Sequence, residues 1–382
     1  MPAHRVRPIP KDVRSLLVVL PNWVGDCVMA TPVYRVLRSH FTQARITFLH
    51  QPYLRELLRG GPWMDQCIAW PPRARGKPWH RAYRDVVGSL KSERFEAAIL
   101  LPNAFRAALI AWQAGARRRI GYHRDGRGWL LTDRMPVKNR VNGVYQPMPF
   151  VEYLADLVAA VGCPRPDDCL ELFTTPDCDE AVERRLREHS LANYHPLVLI
   201  CPGAKFGMSK VWLPERFAAV ADRLIETRGA AVVISPGPGE EPLAQAIIAA
   251  MRHPAVNLQS PVLNLGELKS LMKRCHLLLG NDTGPRHLAR AFNVPIVTVF
   301  GPTFAEWTAT SYAAERILQI PVDCGPCHKK ICPLGHLKCM TGISVDMVFD
   351  ACADLLPRGG AISRSETVDV SSISSDRMSA DR

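Results

Sequence analysis

The chain has 382 residues, 47% of them hydrophobic and 22% charged, which is enough for two domains of ordinary size and too balanced for a fibrous or wholly disordered protein. Its net charge of +12 is uneven: residues 1–150 carry 25 Lys and Arg against 9 Asp and Glu, and residues 151–382 carry 23 against 27. No apolar run is long enough to span a bilayer, the stretch 16–20 is too short for the core of a signal peptide, and most of the twelve cysteines are scattered singly, as in a reducing compartment.

Residues 1–13, rich in Pro and charge, read as a loose arm. Residues 16–20 form a first strand, and PNWVGD at 21–26 turns into a helix over 27–40, where Val28, Met29, Val33, Val36 and Leu37 recur at helical spacing. A strand at 45–49, a helix at 53–58, a strand at 97–101 and a helix at 105–114 continue the alternation. Alternating strands and helices predict a parallel-sheet α/β domain, placed at 14–165. The Pro- and Asp-rich stretch 163–180 reads as a linker. A second α/β domain is expected over 180–344, with a helix at 180–189, strands at 197–200, 231–235, 277–279 and 295–300, and a helix at 214–228. The Ser- and Asp-rich tail at 361–382 has the composition of a disordered segment.

The stretch LLLGNDTGPRHL at 277–288 organises the second domain. Three leucines make a strand buried on both faces, Gly280 and Asn281 break it, and Asp282 and Thr283 can cap the helix that Pro285 opens. Such a strand-to-helix turn is either an ordinary cap or an anion site, with Gly284 letting a phosphate approach the backbone. A second Gly-containing turn, PGAKFGMSK at 202–210, follows another buried-type strand and offers Gly203, Gly207, Lys205, Ser209 and Lys210. Two such turns at one sheet edge point to a nucleoside diphosphate site. His287 and Arg286 either reach a phosphate or lie on the surface, and Glu240 and Glu241 either bind a ribose or are solvated. In the first domain Asp26 stands where strand becomes helix, placed either for acid–base work or for capping. Cys324, Cys327, Cys332 and Cys339, spaced C-x2-C-x4-C-x6-C, are either structural zinc ligands, with His328 and His336 as alternatives, or reduced or redox-labile thiols. The basic front half fits a phosphorylated substrate or an anionic membrane. No aromatic–basic ribonucleoprotein pattern supports nucleic acid.

With these residues in view, the chain resembles glycosyltransferase family 9, the bacterial lipopolysaccharide heptosyltransferases, over roughly residues 14–355. The likeness rests on LPNWVGDCVMATPVYRVLR at 20–38, LPNAFRAALIAWQAGARRRIGY at 101–122, PGAKFGMSKVW at 202–212 and GNDTGPRHLARAFNVPIVTVFGPT at 280–303. The Trp23–Asp26 and LPN-F-A forms look more like the type II than the type I branch, and the cysteine segment resembles an insert seen in many members. The resemblance implies a GT-B fold, two Rossmann-like domains facing across a cleft, with a last helix at 345–357 crossing back to the first domain. It implies ADP-heptose as donor in the second domain, and a lipid A–Kdo core acceptor in the first, at the cytoplasmic face of the inner membrane. Asp26 would be the base of an inverting transfer that needs no metal, and Asn22, Trp23, Gly25 and Asn103 would line the acceptor side. Lys210, Gly203, Ser209, Asp282, Thr283, Gly284 and His287 would hold the donor, with Glu241 at the adenosine. A transferase of the same family using another sugar or acceptor, and a nucleotide-sugar-binding protein without turnover, are the rival readings.

Overall fold

A computed structural model of the chain describes residues 6–71, 79–141 and 144–356. The tail at 361–382 lies outside them. The front half builds one parallel sheet from β1 (Ser15–Val19), β2 (Arg45–His50), β3 (Gln66–Ala69), β4 (Ala97–Leu100), β5 (Arg118–Tyr122) and β6 (Asp133–Met135), in the order β3-β2-β1-β4-β5-β6. A short hairpin, β7 (Arg140–Val141) with β8 (Val144–Tyr145), follows. The back half builds a second sheet from β9 (Leu197–Cys201), β10 (Ala231–Ile234), β11 (Val256–Asn257), β12 (Leu277–Asn281), β13 (Ile296–Val299) and β14 (Glu315–Leu318), in the order β11-β10-β9-β12-β13-β14. The two windings are the same, and every pairing in both sheets is parallel. The central strands β4, β9 and β12 are buried throughout because helices cover both faces, which is why their sequences lack polar alternation.

The covering helices are α1 (Val24–Met29), α2 (Thr31–His40), α3 (Arg55–Leu58), α4 (Trp79–Ser92), α5 (Phe105–Gln113) and α6 (Phe150–Ala160) in the front half. In the back half they are α7 (Pro176–Glu188), α8 (Pro214–Arg228), α9 (Glu241–Ala250), α10 (Leu265–Arg274), α11 (Gly284–Ala291), α12 (Lys338–Thr341) and α13 (Val345–Leu355). The switch point of each sheet, where the winding reverses, lies between β1 and β4 in one and between β9 and β12 in the other, so the turns leaving these strands face a crevice.

Three expectations are corrected. The helix read over 27–40 is two helices broken at Ala30: Pro32 has no N–H to give, and the Thr31 hydroxyl turns back to the Val28 carbonyl at 2.8 Å. The described part of the arm is not loose, because Ile9 and Val13 are buried and the Ile9 N–H bonds the Val161 carbonyl at 2.8 Å. The last helix does not cross back. Its Val348, Ala351 and Cys352 share the core of the second domain with Trp212, Phe217 and Val297.

Between the domains, Lys269 on α10 is buried and its ammonium donates to the carbonyls of Leu57 (2.9 Å), Arg59 (2.8 Å) and Phe173 (2.7 Å). The first two are the C-terminal carbonyls of α3, which no helical N–H can reach. One side chain thus ties the second domain to the first and to the linker.

Candidate active site

The turns leaving β9 and β12 converge because Asn281, buried at the end of β12, stitches them. Its amide donates to the Pro202 carbonyl at 2.5 Å and its oxygen accepts the Trp212 N–H at 3.2 Å. This brings Lys210 onto Asp282: the ammonium meets Asp282 Oδ2 directly, and lies 3.4 Å from the Asp282 carbonyl and 4.9 Å from the centre of the Phe206 ring. Thr303 donates to the same carboxylate oxygen at 3.0 Å, and Arg286 approaches the other at 3.4 Å. Asp282 is therefore turned inward to organise cations and does not cap α11. Thr283 holds the cap position, and its side chain makes no capping hydrogen bond, so the start of α11 keeps its positive end open.

Behind Asp282 lies a buried network that sequence reading missed. Glu315 on β14 pairs with Arg286 and Arg290 of α11, and accepts from Thr298 at 2.8 Å. Burial pushes the Glu315 carboxyl up, but the two guanidinium groups outweigh it and hold it below its ordinary value. Burial lowers Arg290 to about 10. Arg286 was singled out from the sequence beside His287; Arg290, four residues on, and Glu315, from a distant edge strand, were not.

The two domains meet where α1 faces α11. A Cβ built on Gly25 would stand 2.7 Å from His287 Cδ2, and one on Gly284 would stand 3.0 Å from Val24 Cβ, so glycine at both positions allows the approach. His287 is buried there. Burial first, then Arg290, Arg286 and Lys210, hold its pKa well below the ordinary value and keep the ring neutral. Asp26, one residue beyond Gly25, faces the Lys210–Asp282 pair across this junction. Burial raises its pKa to about 6, with Asp282 adding to the rise and Lys210 opposing it. A largely buried carboxylate with that pKa is charged at neutral pH and basic enough to take a proton from a hydroxyl group.

On the front-domain side Asn22 accepts from Gln51 at 2.8 Å and Arg106 at 2.9 Å through one oxygen, while Tyr53 donates to its carbonyl. Trp23 beside it is 54% exposed. Asn103 is fixed by Tyr153 (3.1 Å) and by the fully buried Arg127 (3.3 Å). Arg106, Arg127, Tyr53 and Tyr153 were not singled out from the sequence. Gly25 is half-buried, and the side of it where a Cβ would stand faces His287.

Two donor-side features add to the expectation. Ser209 is buried with its hydroxyl on the Lys329 carbonyl at 2.5 Å and its N–H on the Lys330 carbonyl at 3.2 Å, so it anchors the cysteine segment. The carboxylate over Gly203 belongs to Glu240, not to Glu241: a Cβ on Gly203 would overlap it, and it accepts the Gly237 N–H at 2.8 Å. Cys324, Cys327, Cys332 and Cys339 are all free thiols that line one small cavity with His336 and Ser209, although no three of them are drawn together at ligand distance.

Comparison with known proteins agrees with this geometry. Residues 83–338 match the model of glycosyltransferase family 9 (heptosyltransferase). The chain is 29% identical over 303 residues to lipooligosaccharide heptosyltransferase 2 of Haemophilus influenzae, covering 77% of this chain and 85% of that protein. It is 27% identical over 357 residues to lipopolysaccharide heptosyltransferase 2 of Salmonella typhimurium, covering 91% and 99%. The solved structure of Escherichia coli ADP-heptose lipopolysaccharide heptosyltransferase II superposes with a TM-score of 0.71 at 25% identity, over 89% of this chain and 98% of that one. Two facing Rossmann-like domains, an open helix start beside a lysine, and a carboxylate across the junction are thus joined to a family match over most of the chain: it belongs to glycosyltransferase family 9, the heptosyltransferases.

Proposed function

We propose that the chain is an inverting glycosyltransferase that moves heptose from ADP-L-glycero-D-manno-heptose to the heptosyl-Kdo2-lipid A inner core of lipopolysaccharide. The observation that carries this reading is Asp26 facing the Lys210–Asp282 pair across the α1–α11 junction. Asp26 takes the proton of the acceptor hydroxyl as its oxygen attacks the anomeric carbon, and the bond to ADP breaks on the opposite face. The departing diphosphate gains negative charge, which Lys210, Arg286 and the open start of α11 at Thr283 and Gly284 offset. These groups supply the positive charge that a divalent ion supplies elsewhere, so transfer runs without one. Glu240, whose carboxylate lies over Gly203, accepts ribose hydroxyls, Glu241 remains the expected adenosine contact, and neutral His287 adds no charge to the donor side. Asn22, Trp23 and Asn103, with Arg106 beside them, form the acceptor side.

A lipid-borne acceptor places the protein at the cytoplasmic face of the inner membrane, held peripherally; among the described residues no helix is long and apolar enough to cross a membrane. The cysteine segment is read as a structural zinc site. Support comes from the shared cavity and from Cys332, whose pKa is lowered by backbone N–H groups of Leu337, Leu334, Gly335 and His336, an arrangement that favours thiolate. Protein from zinc-replete cells is expected to carry close to one zinc per chain by elemental analysis, and a stoichiometry near zero contradicts that site.

The function is tested by mass spectrometry of the heptosyl-Kdo2-lipid A acceptor after incubation with ADP-heptose, ADP-glucose or UDP-glucose. Gain of a heptose from ADP-heptose alone is expected. Transfer from one of the other donors points instead to a different family-9 specificity, and binding of ADP with no product points to a protein without turnover.

A further inference from the structure

Three of the most exposed large apolar side chains among the described residues gather on the rim of the loop that carries Lys210. They are Met208 at 69% exposure, Ile331 at 77% and Leu334 at 62%. Their adjacency follows from backbone contacts. Ser209, next to Met208, bonds the carbonyls of Lys329 and Lys330, next to Ile331, and a Cβ on Gly207 would lie 2.4 Å from the Lys330 carbonyl. Leu334 lines the same cavity as Ser209.

The exposure has a local cause. Residues 332–335 make a tight turn in which the Gly335 N–H donates to the Cys332 carbonyl at 3.2 Å and Gly335 takes a φ of +69°. So short a turn encloses no interior of its own, and Ile331 and Leu334 are left exposed. The two segments that carry them are positive, with exposed Asp323 just before the second. Residues 324–339 contain Lys329, Lys330 and Lys338 with no acidic residue, and 202–212 contain Lys205 and Lys210 with none. Lys205, Lys329, Lys330 and Lys338 are exposed.

We propose that this tip, Met208, Ile331 and Leu334 ringed by lysines, is the surface by which the second domain docks on a bilayer containing anionic lipids. Apolar side chains enter the headgroup–acyl boundary while the lysines meet lipid phosphates. Lysine is depleted in protein–protein interfaces and abundant at anionic membrane surfaces, which favours lipid over a second copy of the chain. Docking here brings the Lys210 loop down to the surface that carries the acceptor. The inference rests on the lipid-borne acceptor proposed above.

Its test is co-sedimentation of the full chain with phosphatidylcholine vesicles, with and without a quarter of phosphatidylglycerol, for wild type, Ile331→Asp, Leu334→Ser, Lys329→Glu and Trp129→Ser. Trp129, 66% exposed on the first domain, is the competing surface. Wild type and Trp129→Ser are expected to pellet only with the anionic vesicles. The three tip variants are expected to partition about tenfold less, with turnover of a deacylated, water-soluble acceptor unchanged. The docking surface is overturned if the tip variants pellet like wild type, if binding is lost only in Trp129→Ser, or if Ile331→Asp instead converts a dimer to a monomer by light scattering. Vesicle binding that depends on the tip, with no transfer to either acceptor, supports the docking surface and fails the proposed reaction instead.

Discussion

At the residue scale the proposed reaction turns on Asp26. Its raised pKa, about 6, comes from burial and from Asp282, against the opposing pull of Lys210. A base works as the carboxylate, so kcat/KM is expected to be level near neutrality and to fall as pH drops through about 6. Replacing Lys210 by Met removes the one charge that favours the carboxylate, so the acid limb is expected to move to higher pH, while donor KM is expected to rise with loss of the proposed diphosphate contact. The pH dependence of kcat/KM for the two proteins checks this. A limb that stays in place or moves down contradicts the coupling.

At the element scale the junction of α1 with α11 sets the geometry. Gly25 leaves room for His287, which is buried. Gly25→Ala is expected to overpack the junction, costing about 1–3 kcal/mol and lowering kcat/KM together with the melting temperature. Normal activity and stability in that variant would show that the two helices do not approach this closely in solution. These elements were largely legible. Apolar runs without alternation gave β1, β4, β9 and β12, and glycine-containing turns after them gave the crevice. The break at Ala30 was hidden because helical periodicity continues through it, and only the missing N–H of Pro32 hinted at it. Glu240 and Glu241 could not be told apart, since neighbours at a helix start differ only in which way the chain has turned by then.

At the scale of the whole molecule, the two domains are held at their angle by contacts between residues far apart in sequence, and these were illegible. Lys269 reads as one more helical lysine, but its ammonium satisfies three carbonyls from the other domain and the linker. Burial lowers its pKa to about 8, so it remains mostly charged at pH 7. Lys269→Met leaves those carbonyls without a donor and is expected to cost about 3 kcal/mol, read by urea unfolding. An unchanged midpoint would mean that the tie does not form. The Arg286–Glu315–Arg290 network was hidden for the same reason, because burial of opposite charges from a helix and a distant strand leaves no local pattern. What the sequence did show was which strand-to-helix turns converge at the crevice. What it could not show was which side chains in those loops face the cleft and which, like Ser209, hold a neighbouring segment.

The most direct measurement is acceptor-dependent ADP release from ADP-heptose, in EDTA, by wild type and Asp26→Asn. The wild type is expected to release ADP only with the acceptor present, and the variant to lose roughly 10²–10⁴-fold in kcat while binding ADP normally, because only the proton acceptor has been removed. Turnover that survives the Asp26 change would contradict its role as the base, and turnover that stops in EDTA would contradict a transfer carried by Lys210 and the start of α11 alone.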